Sequence, residues 1–524
     1  MDINLVWDPS RIPVDKTKDD KNEGDKDAKN VATARHVSNA GLGTTSGPDP
    51  DPDAGLTAEQ RAYNERKLLR QLDWHLIPWL CILYLLAFLN RTNIGNAKIA
   101  GINEDLGLSD GQYNAALAIF FISYSLFEPV TNILLTKYKP SRFIPVTMIL
   151  GGICMTLMGF VYNWSGLMAG RFFLGLTEAG MFPGVNYYLS CWYRRSEFGV
   201  RAAVFFSAAA LSGSFGGVLA AFIQYMDGIG NRRGWSWIFI IEGLMAVVLG
   251  IASFWKVHDF SREVTFLSDE NKARLKRRLN EDQQAPPDHA KFKTLYFWQA
   301  LHDWKMWMTM AIYMGCDMPL FAVTLFLPTI INDLGWNTNT NTMRSQLMTV
   351  PPYALAAVFT VFMGYIADRS GRRGIFNVFV SMVGIVGFSI ILATESPGIK
   401  YIGTCLGVMG LYPCVSNTIT WVANNTQGMY KRGVVMGFVI GWGNLSGILS
   451  SFTYRHPPLF IEGHAVVIGF MTLYLCVGSL SMMALLRKEN WKRRLGKRDY
   501  WIEGKTLEEI ADLGDDRPGF LYTI

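Results

Sequence analysis

The chain has 524 residues, of which 50% are hydrophobic and only 18% charged, and its formal net charge is +6. This composition excludes collagen-like, disordered and coiled-coil classes, and a charged share below the roughly 25% of soluble domains places the apolar excess in lipid. The small basic excess is what Lys and Arg in the loops of a membrane protein give, and it implies no nucleic-acid partner.

Residues 1–56 are rich in Asp, Lys, Asn, Gly and Pro. They cannot bury enough apolar surface to offset ordering entropy, so a disordered cytoplasmic tail is expected. No apolar core of a cleavable signal peptide is visible in them. Thr57-Ala58-Glu59-Gln60 then reads as a capping box, and an amphipathic helix over 57–74 is expected along the inner membrane surface.

Apolar segments long enough to span follow at 75–97, 112–136, 143–163, 166–191, 202–226 and 235–256. A second group lies at 307–331, 345–367, 374–394, 400–423, 433–453 and 465–486. The expected architecture is an all-α membrane protein of about twelve transmembrane helices. They form two six-helix bundles, 75–256 and 307–486. A cytoplasmic linker, 257–306, joins them, and residues 487–524 form a second cytoplasmic tail. The basic run inside Ser268–Gln284 of the linker reads as a solvated helix face. All seven Cys fall inside apolar segments and read as small core residues.

Lys and Arg set the orientation. With the first tail inside, one set of short loops holds Lys137, Lys139 and Arg142, then Arg194, Arg195 and Arg201, then Arg369, Arg372 and Arg373, then Lys431 and Arg432. The opposite loops hold fewer, so both termini are expected to be cytoplasmic, in a multi-pass protein of the plasma membrane.

Between the eighth and ninth spans lies Gly364-Tyr-Ile-Ala-Asp368-Arg369-Ser-Gly371-Arg372-Arg373. Glycines permit a tight turn there, and Asp368 can cap a helix start and pair with an arginine across the interface. This run resembles the loop signature GxxxDRxGRR of the major facilitator superfamily in full, and the resemblance implies a conformational switch loop. The equivalent loop of the first half, Lys137–Arg142, is degenerate.

The resemblance narrows in the first half. Asn90-Arg91-Thr-Asn-Ile-Gly-Asn-Ala97 is similar to the DRTNIGNA run of the anion:cation symporter family. Its fungal branch includes permeases for allantoate, nicotinate, pantothenate and biotin. Arg171–Gly184, Leu347–Tyr353, Trp421–Asn425 and Gly443-Asn444 carry further matches. Pro351-Pro352-Tyr353 and Phe326–Ile331 look most like nicotinate-type permeases. The family has Asp where this chain has Asn90. That departure implies that Glu178 is left as the main proton carrier, or that the coupling is altered.

The residues lead to a compatible site. An ionisable side chain inside a span is a functional candidate by default. Arg91 lies about 16 residues into one span and Glu178 about 12 into another; at about 1.5 Å per residue both reach mid-depth. Arg91 offers a fixed fork for a carboxylate. Glu178 is a carboxylate able to load and release a proton. Asn444, and more weakly Tyr187, are candidate substrate contacts from neutral groups. Glu128 and Arg171 lie nearer span ends and are expected to be structural, while Glu242 and Asp317 stay open. The pair Asn424 and Asn425 sits at a helix end, where capping is equally expected.

No phosphate loop and no HExxH occur, and the seven His are scattered. No cofactor, metal or catalytic residue is therefore expected. The leading expectation is a proton-coupled transporter importing a small organic anion, nicotinate-like or allantoate-like, with protons and the lipid bilayer as its other partners. An exporter of an organic-acid metabolite on the same fold, and a non-transporting nutrient sensor, are the alternatives.

Overall fold

Helix α1 (Ala58–Thr92) opens on the capping box. Thr57 Oγ1 accepts from the Gln60 N–H at 3.3 Å, and Gln60 Oε1 accepts from the Thr57 N–H at 3.0 Å, which satisfies two orphan donors at once. The helix then continues for 35 residues through Pro78. The surface helix expected over 57–74 and the first span are therefore one rod. Its polar part is held by the second half of the same bundle, where Arg201 donates to both oxygens of Asp73 at 3.0 and 2.8 Å.

The computed structural model describes residues 52–53, 55–259, 266–281, 294–334, 342–454, 460–506, 509–510 and 513–524. Most of the expected 1–56 tail, and parts of the linker, lie outside the described residues. A short helix α2 (Ile94–Ile99) completes the first span. Next come α3 (Asp110–Lys137), α4 (Pro140–Met158), α5 (Trp164–Glu178), α6 (Met181–Ser190), α7 (Arg195–Ile223) and α8 (Gly234–Lys256). The linker holds α9 (Asp269–Glu281) and α10 (Thr294–Leu301). The second half contains α11 (Trp304–Asn332), α12 (Thr342–Leu347), α13 (Val350–Ser370), α14 (Gly374–Ala393), α15 (Pro397–Asn425), α16 (Met429–Ser450), α17 (Ile461–Phe470) and α18 (Gly478–Arg494). Among the described residues there is no strand.

Among the described residues, eleven helical stretches are long and apolar enough to cross a membrane. The fourth span is missing from that set because it is broken. Pro183 has no N–H, and its ring crowds the carbonyl four residues back, at Ala179. The chain leaves the helix at Ala179 and Gly180, dividing the span into α5 of 15 residues and α6 of 10. Large apolar side chains such as Val248, Val358 and Leu473 are exposed on the outer surface, as lipid contact requires.

Helix α7 of the first half packs on α12, α13 and α15 of the second, and α3 packs on α16. The halves meet at both ends. At the end carrying the basic loops, the Val200 N–H on α7 donates to Asp368 on α13 at 2.5 Å. At the opposite end, Gly95 lies so close to α11 that an added Cβ would sit 2.7 Å from the Leu325 carbonyl oxygen. There, too, Ser214 Oγ donates to the Val350 carbonyl at 3.0 Å.

The linker departs from the solvated face expected of it. Arg274 and Arg278 on α9 are buried. Arg274 and Arg277 clasp Asp53 at 2.7 Å each, and Arg278 pairs with Glu197 at the start of α7. The basic run is neutralised by acids of its own chain, so it docks instead of standing in water. Asp53 is correspondingly fixed, although the sequence places it in the disordered tail.

The residues after α18 also fold back. Asp515 is fully buried and closes a ring of alternating charges. Lys305 lies 2.9 Å from both Asp303 and Asp515, and Lys431 lies 3.0 Å from Asp303 and 2.7 Å from Asp515. Beyond it, Asn425 exchanges two hydrogen bonds with the Thr523 backbone at 2.7 and 2.9 Å, and the Arg373 N–H donates to the Ile524 carbonyl at 2.8 Å. The ends of α11, α15, α16 and α18 are stapled by one segment.

Removing one partner of a buried ion network leaves uncompensated charge. Asp515→Asn should therefore cost about 3 kcal/mol, read as a fall in the melting temperature of the purified protein. Burial pushes the Asp515 carboxyl up, but Lys305 and Lys431 outweigh burial and hold it below the ordinary range. The stabilisation should be complete above about pH 4 and disappear as acid protonates Asp515. A variant as stable as the parent at pH 7 would show that the ring holds nothing.

Candidate functional site

Arg91 sits in the last turn of α1 and is buried, 5% exposed. Four rings surround its guanidinium: Tyr124 at 4.6 Å, Phe120 at 5.3 Å, Phe321 at 5.5 Å and Phe88 at 5.6 Å from ring centroid to Cζ. The electron-rich faces replace part of its lost hydration. Among the described residues it forms no ion pair, and its Nε has no hydrogen-bond partner.

Glu178 is the last residue of α5, at the break in the fourth span. Asn90 Nδ2 donates to its Oε1 at 3.4 Å, while its buried Oε2 has no partner. The positive charges within electrostatic reach are Arg91 and Arg171. A discontinuous helix in a membrane protein is tolerated where it lines a functional cavity. The break therefore sets Glu178 beside Arg91 without forming a direct ion pair between them.

Arg171 is fully buried but acts as a brace. Its Nε donates to the Ala116 carbonyl and its Nη1 to the Arg91 carbonyl, each at 3.3 Å, tying α1, α3 and α5 together. Glu128 lies toward the end of its apolar stretch, Asp110–Thr131. It is fully buried at the interface of the halves, where Asn444 Nδ2 donates to its Oε2 at 3.2 Å. The other oxygen, Oε1, has no partner. Asp317 on α11 is buried beside the same helix α16, and an added Cβ at Gly443 would lie 2.7 Å from its Oδ2. Arg91 is within electrostatic reach of both acids.

Not every expected contact converges. Tyr187 packs at the basic end with Leu135 and Cys191 and faces Gly433 across the halves, so it does not join the Arg91 cluster. Its position seven residues past the helix break carries it toward that end. Asn425 binds the Thr523 backbone instead of the centre. Glu242 is fully buried on α8 with both carboxylate oxygens unpartnered and no charged group in reach.

The loop Gly364–Arg373 is built as a joint. Gly371 ends α13 with φ +64°, a left-handed conformation that favours glycine, and its N–H returns to the Ala367 and Asp368 carbonyls. Asp368 pairs with Arg373 of its own half, not with an arginine across the interface; across the interface it takes the Val200 N–H. Arg373 also donates to Asn417 Oδ1 at 3.2 Å. Gly364 packs against Ala203 of α7, while Arg369 and Arg372 are exposed.

Sequence reasoning misses the aromatic cage and the roles of Glu128 and Asp317. A signal was present: Phe120, Tyr124 and Glu128 recur every four residues on α3, and Asp317 and Phe321 do so on α11. That spacing aligns aromatic and acid on one helix face.

A family model described as the Major Facilitator Superfamily matches residues 80–451. An uncharacterized transporter of Schizosaccharomyces pombe is 35% identical over 421 residues, covering 80% of this chain and 83% of that protein. The high-affinity nicotinic acid transporter of Saccharomyces cerevisiae is 31% identical over 497 residues, covering 94% and 89%. The fold is similar to the proton:xylose symporter XylE bound to a bromodeoxyglucose. That match has a TM-score of 0.58 at 13% identity, over 79% of this chain and 95% of the other.

The two glycines of α16 should separate cleanly. A methyl at Gly441 would meet Glu128 Oε2 at 3.5 Å, an ordinary contact, whereas at Gly443 it would collide with Tyr313 and Asp317. Gly443→Ala should destabilise by about 1–3 kcal/mol and Gly441→Ala by far less, measured by thermal unfolding. Equal melting temperatures for the two variants would contradict this packing.

Proposed function

Because this chain belongs to the Major Facilitator Superfamily, we propose that it imports a small organic anion together with protons by alternating access, with a flat carboxylate such as nicotinate as the substrate class. The chain is a multi-pass membrane transporter. The observation that carries the substrate reading is Arg91: a buried guanidinium with no carboxylate partner, enclosed by four aromatic rings. The fork recognises a carboxylate in two hydrogen bonds, and the rings suit a planar heteroaromatic body. The name of the nicotinic acid transporter from Saccharomyces cerevisiae supports the same class.

Glu178 is the proton carrier in this reading. It stands at the helix break with a free oxygen and shares the field of Arg91, so its ionisation and the anion's charge compete for one cation. Asn444 brings a neutral donor to the centre from the other half. The Asp368 loop governs the switch between orientations, because its contact with Val200 must part when the basic end opens. We place the carrier in the plasma membrane with both termini cytoplasmic, following the basic loops.

Arg91→Lys keeps the charge but loses the fork. Nicotinate affinity in proteoliposomes should fall about tenfold or more, the worth of one charge-assisted hydrogen bond. Parental affinity in the Lys variant would remove Arg91 from the substrate site.

Glu178→Gln cannot titrate. Each coupled proton adds about tenfold accumulation per pH unit of gradient. The variant should lose at least that factor in uphill uptake, yet keep counterflow, which needs no net proton movement. Undiminished accumulation under an imposed pH gradient would assign the proton elsewhere.

A further inference from the structure

The last helical stretch, Ile461–Arg494, is longer than the layer it crosses. Between His464 and Arg487 the sequence carries no charged residue. About 20 residues cross the hydrocarbon, so this apolar part is used up near Ala484. The helix nevertheless continues, as α18, to Arg494. About three more turns therefore lie at and beyond the level of the lipid headgroups.

Those turns have two faces. The inner face is taken by the chain's own tail. Asn490 exchanges two hydrogen bonds with the Tyr522 backbone at 2.8 Å each, and Arg493 donates to the Asp515, Arg517 and Phe520 carbonyls at 2.7 to 2.9 Å. That clasp fixes which side of the helix looks outward. The outer face continues the lipid-facing one. Leu480 and Ala484 are exposed on it, and steps of three, four or seven residues lead from them to Arg487, Lys488, Trp491, Arg494 and Leu495, all exposed.

The acid partners are confined to the flank. Glu489 holds Arg498 in two hydrogen bonds at 2.8 Å and lies 3.5 Å from Arg493 and 4.0 Å from Lys492. Among the described residues no acid pairs with Arg487, Lys488, Arg494 or Lys497. Lys497 Nζ lies instead 5.1 Å from the centre of the Trp491 ring. Tryptophan, with an apolar body and one polar N–H, is a side chain of the headgroup level. Cations without acids and two apolar anchors, Trp491 and Leu495, thus share a surface that the lipid itself must touch.

We propose that the outer stripe Arg487, Lys488, Trp491, Arg494 and Lys497 binds the headgroups of anionic phospholipids in the leaflet at the basic end of the bundle. Complementary charge supplies the recognition: Lys and Arg take the phosphate, while Trp491 and Leu495 enter the acyl boundary beneath it. Continuity with the lipid-facing side of the last span selects a lipid over a soluble acidic partner. The stripe is remote from Arg91 and does not depend on what is transported.

Trp491 reports the occupant. The purified full-length carrier is placed in phosphatidylcholine vesicles containing, at equal mole fraction, either brominated phosphatidylserine or brominated phosphatidylcholine, since bromine quenches indole on contact. The fluorescence owed to Trp491 is the difference between the parent and Trp491→Phe. The anionic lipid should quench that share more strongly, with a local affinity about fivefold higher for each basic residue engaged. The preference should vanish in the triple variant Arg487→Gln, Lys488→Gln, Arg494→Gln. It should also vanish in the parent at about 1 M salt, where screening acts within about 3 Å; this arm needs no variant to fold. Equal quenching by the two lipids in the parent at low salt overturns the site. A preference that survives the triple variant overturns the stripe, and one that survives high salt overturns charge as its cause. Soluble glycerophosphoserine should leave the quenching by brominated phosphatidylserine in place; full displacement by it would make the stripe a site for free phosphate esters and overturn the lipid.

Discussion

One buried guanidinium organises the centre of this protein. A lone arginine at the middle of a membrane helix costs about 3 kcal/mol on insertion scales. Here the cost is offset by four aromatic faces, each within 6 Å of the charge, at up to about 2 kcal/mol for a desolvated contact. Those rings come from α1, α3 and α11, so holding Arg91 requires both halves to close around it. The broken fourth span, the brace of Arg171 and the acids at the interface are all arranged relative to that charge.

The two bundles were legible because membrane segments announce themselves by length and apolarity, which need no tertiary information. Arg91 and Glu178 were legible for the same reason, as charges where charges are costly. The partner of Glu128 was not legible, because a count along one helix does not say what packs against it. Its partner Asn444 lies more than 300 residues away, and only the packing of α3 on α16 shows that the two stand at one level. Tyr187 lies away from Arg91 for a different reason. It follows Glu178 closely in sequence, but Pro183 interrupts the helix between them. The docking of the linker's basic run and of Asp53 and Asp515 was not legible because composition reports solubility, whereas these acids find their cations in distant elements.

The ends and the middle of the interface use different chemistry. At the end away from the basic loops, small residues let backbones touch, as at Gly95 against α11. At the basic end, Asp368 holds both the Val200 N–H of the first half and Arg373 of its own. Arg373 in turn receives the chain's last carbonyl through its backbone N–H. The state of the Asp368 joint is thereby connected, through a single residue, to the segment that staples the ends of α11, α15, α16 and α18.

The ring of Asp303, Lys305, Lys431 and Asp515 constrains how this sequence can drift. Each member touches two of opposite sign, so any single replacement strands an odd charge in a buried place. Replacing one acid and one base together restores neutrality. The four positions therefore form one mutational unit, although they lie in three separate stretches of chain. Lineages should cross this site in paired steps, and a pair lost to apolar residues would pass where a lone charge reversal would not.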